Sequence, residues 1–565
     1  MGPAAPRDGR TGGAGGPGDG NGARKKRRGR PPQMPDDLTS MDEGYYDPWA
    51  RTAWLLVTCR SLGRETAYAE RSVFVGALRD AGVTTDLSRL SRWESGQHPI
   101  TFKALRGYET VLGLPEGALV AANRQLVRDS DPAGKAPERV SFAERSDTAP
   151  DALIMGLIDK ATASGDAMTG GDWLTLVTEL DHFELVLLPT RHWTLLCERL
   201  VQELARTTGI DQLRRFEALS TLINHPVGQR HVLHALGAWL TDDDVQVVNP
   251  MLGLLQQLED PAASALVLKL LDSDNKALAL GAIQVAATKV ARGHFDGAPL
   301  AQLEQHAIRG LLVPAYKRGA DLLDLLTHLP DDSFARVART LKDGPLRTRV
   351  LTARETKDLA GKDASRQISR TVASQVQAMT PAVYTAEPDQ LLQRLVREAL
   401  CHVSGNRRRL ATYALGLSPY APAVADCFIS LARSERELLD ERAWEAVWAL
   451  GHGRRREDVV ALVDTDHPRT QRRALISLAR SPQRLTTAEQ ERIKVAMQHD
   501  NASVRRAALY ATGLQAPHHL PKPLGAKASP DAPVVTWWRR VGPAIRDSDG
   551  LGRPAPKPAP VLLEE

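Results

Sequence analysis

Arg89 and Arg92 lie three positions apart in the string DLSRLSRWESGQHP, each preceded by a serine, Ser88 and Ser91. On a helix that spacing sets both guanidiniums one turn apart on one face. A planar, five-donor guanidinium matches guanine O6/N7 or a phosphate bidentately, and the serines add shorter donors. Gln97, His98 and Lys103 follow closely and suit a phosphate backbone. Any two arginines on a helix can equally be a solvated face, so the surrounding pattern has to decide. A second basic set, Lys25, Lys26, Arg27, Arg28, Gly29, Arg30 and Pro31, sits in RKKRRGRPPQ. Residues 1–35 carry eight basic and two acidic residues, net +6 in a chain of net +5, so the remainder is close to neutral. Basicity is therefore a local property. A third set, Arg454, Arg455 and Arg456, falls in a turn between two helical stretches and is a candidate partner surface.

Chemistry of other kinds finds no constellation. The sequence has no GxxxxGK[ST] phosphate loop, no HExxH and no GxSxG elbow. His231 and His234 have the spacing of a helical pair but no evident third ligand, and the acidic run 242–244 reads as helix caps. The four cysteines are widely spaced without a CxxC pair, which argues for buried thiols rather than disulfides or zinc. No catalytic residue, metal or cofactor is expected, and the protein is not expected to be an enzyme. No apolar run has the length of a membrane span and no signal-peptide core follows the basic N-terminus. The expected location is the cytosol, on the nucleoid in a bacterium.

The elements that would carry Arg89 and Arg92 are helical. Aromatics make up 5% of the chain while Ala, Leu and Arg abound, a bias toward helix over sheet. Val73, Ala77, Leu78 and Ala81 predict a helix over 72–81 that Gly82 stops. Thr84, Thr85 or Asp86 then caps a helix with Leu87, Leu90 and Trp93 or Glu94 inward and Ser88, Arg89, Ser91 and Arg92 outward. Gly96 closes it, and Leu105, Tyr108 and Leu112 form another buried stripe. Ala77-Leu78, Gly82-Val83, the string LSRWESG (90–96), Leu105, Tyr108-Glu109, LGLP (112–115) and Leu119 together resemble the Xre/lambda-repressor-like helix-turn-helix family. The resemblance implies that residues 86–95 form a recognition helix entering the major groove of DNA, with Ser88, Arg89, Ser91 and Arg92 toward bases and Gln97, His98 and Lys103 on phosphates. The interval from Gly82 to Glu94 is about two residues longer than the family's usual spacing. Arg28-Gly29-Arg30-Pro31 is similar to the AT-hook, which implies an extended arm in a narrow A·T minor groove.

Further along, the sequence repeats. NRRRLATYALGL, DERAWEAVWALGHG, TQRRALISLARS and SVRRAALYATGL begin at positions 406, 440, 470 and 503. Between them lie shorter apolar helices and acidic turns such as DTDHP and HDNAS, with TDDD and DSDN upstream, where Asp is expected to cap the next helix. The pattern LVDTDHPRTQRRALISLA resembles HEAT repeats, which implies an α-solenoid. Arginines opening these helices either align as a basic ridge or pair with a neighbouring acidic turn, and the ladder is favoured for Arg473 and Arg506. The expected organisation is all-α. Residues 1–44 are a disordered basic tail, 45–128 a helix-turn-helix head, 129–150 a linker, 151–515 a HEAT-like solenoid and 516–565 a Pro-rich, mostly disordered tail in which VVTWWRRVG (534–542) docks on the body. The expected function is sequence-specific DNA binding, as a transcriptional regulator whose solenoid serves protein interaction or assembly. The alternative is a DNA-anchored scaffold in replication, chromosome maintenance or defence, and a more remote one is a HEAT-like DNA glycosylase.

Overall fold

A computed structural model describes residues 34–550 apart from 132–150, 164–166, 184–185, 187, 313–319, 381–387, 434–436 and 522–529. The basic set at 25–31, most of the expected linker and the last fifteen residues lie outside the described residues. The described chain forms 27 α-helices and no strand, only an isolated bridge between Asp358 and His402.

Five helices make the head: α1 (Pro48–Ser61), α2 (Arg71–Asp80), α3 (Leu87–Glu94), α4 (Phe102–Leu112) and α5 (Ala118–Arg128). Pro48 opens α1 with φ already helical, and the Asp47 carboxylate accepts from the amides of Trp49 (3.0 Å) and Ala50 (3.2 Å). Every residue of α1 from Ala50 to Ser61 is buried, including Arg51 and Arg60, so this helix lies between two cores. One core belongs to the head: Leu56, Phe74, Leu78, Leu90, Trp93, Leu105 and Tyr108 with their neighbours. The other takes Tyr46, Trp54 and Leu55 and runs through the array to Trp538. The head is therefore not a tethered module. Its α1 and α5 are part of the array's hydrophobic interior, and the described residues from 34 to 550 form one compact unit.

Beyond the head, consecutive helices pack in pairs, as Gln390–Cys401 does with Gly405–Leu417, and Pro468–Ala479 stacks on Ala502–Gln515. This is the packing of a helical-repeat solenoid, in which each pair buries its apolar face only against its neighbours. Arginines bridge successive repeats as a ladder: Arg336 to Glu304 (2.6 Å), Arg354 to Asp331 (2.6 Å), Arg473 to Asp440 and Arg505 to Asp531 (3.1 Å). At the last rung the partner is Arg505. Arg506, expected there, is two-thirds exposed and 4.0 Å from the same carboxylate.

The caps differ from expectation. Asn275 and Asn501 accept from the amides two residues on (3.0 and 2.9 Å), whereas the helix after DTDHP has no side-chain cap and Asp464 pairs with Arg492 (3.0 Å). An acidic turn here supplies ion-pair partners, and the Asn beside it caps, because only the residue immediately before the first turn can reach the open amides. The C-terminal segment carries a helix over the VVTWWRRVG stretch expected to dock on the body. The helix Ala532–Val541 forms, and Trp537 and Trp538 are buried in the array core, Trp538 edge-on to Tyr510 with centroids 5.3 Å apart.

Candidate nucleic-acid interface

The turn between α2 and α3 is set by Gly82. At φ +79° it lets the Gly82 amide reach Arg79 O (2.9 Å) and the Val83 amide reach Leu78 O (2.9 Å), the paired bonds of a Schellman stop, with Val83 and Leu78 both buried beside each other. Asp86 then caps α3, its carboxylate accepting from the Arg89 amide at 2.7 Å, and that bond holds the carboxyl below its ordinary value. Leu90, Trp93 and Glu94 are the buried line of α3, as the periodicity predicts.

Glu94 is the anchor. Its carboxylate receives the buried Arg60 guanidinium through both oxygens, Arg71 Nε at 3.0 Å and the Tyr108 hydroxyl at 3.4 Å. Arg60 also donates to the carbonyls of Tyr68 (2.9 Å) and Ala69 (3.0 Å). One carboxylate at the end of α3 thus ties it to α1, α2 and α4. Fully buried charges of this kind are costly unless every donor and acceptor is matched, so the network fixes one stance of the helix. Gly96, at φ +70°, closes α3 where a Cβ would come within 3.2 Å of the α1 backbone at Trp49 and Ala50.

The outward face is open. Asp86, Leu87, Ser88 and Arg89 are all exposed, as are Arg92, Gln97, His98 and Lys103, while Ser91 is half-buried. Leu87, expected inward, is 51% exposed because the first turn of α3 stands clear of the core that starts at Leu90. Val73, also expected inward, is 43% exposed. The buried face of α2 is Phe74, Val75 and Leu78, one position round from the expected stripe, and Ala81 is exposed too. Arg89 Nη1 donates to Thr84 O (3.1 Å) and its guanidinium lies 5.9 Å from the Trp93 ring centroid. The amides of Gln97 (3.1 Å) and His98 (3.3 Å) close on Arg92 O, which places both side chains at the C-terminal end of α3. Lys103 is in the first turn of α4, which Thr101 caps through the Ala104 amide (3.2 Å).

Opposite α3, the head is fused to the array by a second buried network. Arg51 donates to Asp37 (2.8 Å) and through both Nη atoms to Glu398 (2.7 and 2.6 Å). Arg394 and Arg407 each reach the same Glu398 oxygen at 3.1 Å. Burial alone would push the Glu398 carboxyl up, but Arg407, Arg51 and Arg394 override it and hold it well below its ordinary value. Trp54 Nε1 donates to Asp389 (2.9 Å), and Arg128 of α5 pairs with Glu217 (2.5 Å). Of these residues the sequence marks Arg407, among the arginines that open a repeat helix, and offers for the rest an Arg at each end of the apolar run RTAWLLVTCR.

The third arginine set splits. Arg454 bonds Asp426 (2.8 Å) with its side chain 64% exposed, and Arg455 pairs with Asp458 (2.9 Å). Arg456 is not partner surface. It donates to Glu489 (2.8 and 2.9 Å), Ser481 (2.9 Å), Gln483 (3.0 Å) and Arg484 O (3.1 Å), and belongs to the inter-repeat ladder. A cleft of about 480 Å³ opens between head and array, lined by Arg128, Asp131, Asn224, Gln257, Arg292 and His294. Its Arg128 and Arg292 are paired with Glu217 and Asp129 (2.8 Å). The four cysteines are buried thiols, and burial pushes Cys59, Cys197 and Cys401 up to about 12.

No protein-family model matches the chain, and no curated protein does. Among solved structures it is similar to an engineered protein at 14% identity and TM-score 0.20, covering 64% of this chain and 98% of that one. It is also similar to a TOG domain array, from work on tubulin recruitment and assembly by microtubule polymerases, at 11% identity and TM-score 0.21, covering 68% and 100%. Superposition at that level establishes no shared fold, and the helical-repeat architecture stands on the chain's own packing.

Proposed function

We propose that this protein binds duplex DNA in a sequence-dependent way through α3, as a regulator of transcription, and that its helical-repeat array serves protein interaction or assembly. The observation that carries this reading is the contrast across one helix. Behind, α3 is fixed by Glu94. In front, the first turn and Arg92 are exposed. A helix that enters the major groove contacts base edges with its N-terminal residues, and here those are Leu87, Ser88 and Arg89. Arg89 and Arg92 suit guanine, Ser88 suits any base with a free acceptor or donor, and the exposed Leu87 suits a thymine methyl. Gln97, His98 and Lys103 flank the helix for phosphates, and the 25–31 segment adds minor-groove and phosphate contacts.

The test is selection of bound duplexes from a random-sequence pool by the full chain. One sequence family should be enriched, and the Arg89→Ala/Arg92→Ala chain should fail to enrich it while melting at the same temperature. A pool left unenriched by the unaltered chain would remove the reading. Deleting residues 1–35 should lower affinity and flatten its dependence on salt.

A further inference from the structure

The two ends of the array meet. At the start of the helix Gly209–Asn224, Arg214 and Arg215 are buried side by side, and both hold Asp547, far away in sequence. Arg214 Nη2 donates to Asp547 Oδ2 (2.7 Å), Arg215 Nη2 to Oδ1 (2.9 Å), and the Gly170 amide to Oδ2 (2.6 Å). That amide opens the helix Gly170–Asp181, whose N-terminal dipole favours a carboxylate. Burial alone would push Asp547 up, and the two arginines with the Gly170 amide hold it below its ordinary value instead. Its own amide donates to Asp211 (3.0 Å).

The residues before Asp547 lie along the array edge through two backbone pairings and two bonds from arginine side chains to carbonyls. Arg206 Nε donates to Pro543 O (2.7 Å), the Ala544 amide to Leu514 O (2.7 Å), the Ile545 amide to Arg206 O (2.9 Å), and Arg546 Nε to Pro482 O (3.0 Å). This is recognition of an extended peptide: main-chain bonds along its length and one acidic anchor.

The same arginine touches the head. Arg214 Nη1 donates to Glu116 O (2.8 Å), in the turn between α4 and α5. Gly117 in that turn approaches so closely that a Cβ would meet Leu174 at 2.6 Å, and one on Gly170 would meet Arg214 at 2.7 Å. From this turn Glu109 accepts the amides of Gly117 (2.7 Å), Leu119 (2.7 Å) and Val120 (3.1 Å) and so starts α5.

We propose that Arg214, Arg215 and the Gly170 amide form a docking site for an acidic extended segment, filled in cis by residues 543–547, and that its occupancy holds the α4–α5 turn of the head. The anchor carboxylate and the head share one guanidinium, Nη2 on Asp547 and Nη1 on Glu116 O, so that holding the first fixes the second. Arg214 Nη2 also donates to Asp211 (2.5 Å), and releasing the segment removes one of the two carboxylates that fix the guanidinium against Glu116 O. This coupling is independent of what the head binds.

The experiment is hydrogen exchange on the full chain, unaltered, with Asp547→Asn, and with a stop after Arg546 that keeps both buried tryptophans. Both variants should exchange at least tenfold faster in two places, the 532–546 segment and the first turn of α5 at 117–121, with the Asp331–Thr340 helix unchanged. Acceleration confined to the C-terminal segment overturns the coupling, and no acceleration overturns the docking site. A dimer of the unaltered chain that Asp547→Asn dissolves would mean that the segment docks in trans, which overturns occupancy in cis.

Discussion

Two groups of arginines on the same head behave in opposite ways. Arg51 and Arg60 on α1 are fully buried and each meets a buried carboxylate. Arg89 and Arg92 on α3 are exposed, and Arg89 folds back onto a backbone carbonyl and a ring face. A matched carboxylate inside the fold makes an arginine structural, whereas exposure on a rigid helix presents the guanidinium to solvent. The difference sets the array side of the head apart as architecture, and the proposed function places recognition on the α3 side.

The largest effect should come from the buried side. Glu398→Gln leaves Arg51, Arg394 and Arg407 facing one another without their shared carboxylate, and loss of one partner from such a network costs about 3–5 kcal/mol. Urea unfolding should show that loss, and a change under about 1 kcal/mol would mean that the network is solvated. The pH dependence has a definite sign. Glu398 is held well below its ordinary value, so its contribution is full above that value and is lost only as pH falls through the lower, folded one.

A buried histidine acts at higher pH. Burial, aided by Arg456, draws His452 down to about 4, so between 6.5 and 4 the unfolded chain binds the extra proton and stability drops as pH falls. The slope should be about 1.4 kcal/mol per pH unit from this group, and His452→Gln should flatten it in melts taken across that window.

Smaller effects belong to the exposed side. In a selected duplex, replacing the thymine opposite Leu87 by deoxyuridine should weaken binding by about 1 kcal/mol, the worth of one buried methyl. In the Leu87→Ala chain the same replacement should do nothing, and equal losses in both chains would take Leu87 off the base edge. Smallest of all, Arg455→Ala should shift the melting free energy by under about 1 kcal/mol, as for any pair open to water.

Local pattern was legible in the sequence where short-range physics decides. The Asp86 cap, the Leu90–Trp93–Glu94 line, the Gly82 and Gly96 stops and the Arg-opened repeat helices all depend on neighbours within a turn or two. The three residues read to the wrong side, Leu87, Val73 and Ala81, lie where tertiary packing stops, which helical periodicity alone does not mark. Least legible were the pairings that join the molecule. Arg51 and Glu398 are 347 positions apart, and Asp547 is 332 from Arg215. Nothing in either local string distinguishes a solvated charge from half of a buried pair, so a head expected on a linker, and a tail expected to dock through VVTWWRRVG alone, are both built into the array.

The central claim is that α3, and not the array, meets the duplex. Hydrogen exchange of the full chain with and without a selected duplex tests it directly. Residues 87–94 and the turn to Lys103 should be protected on binding, with the repeat helices from Gln390 onward unchanged. Protection that falls on the repeat helices while α3 exchanges at its free rate would contradict the account.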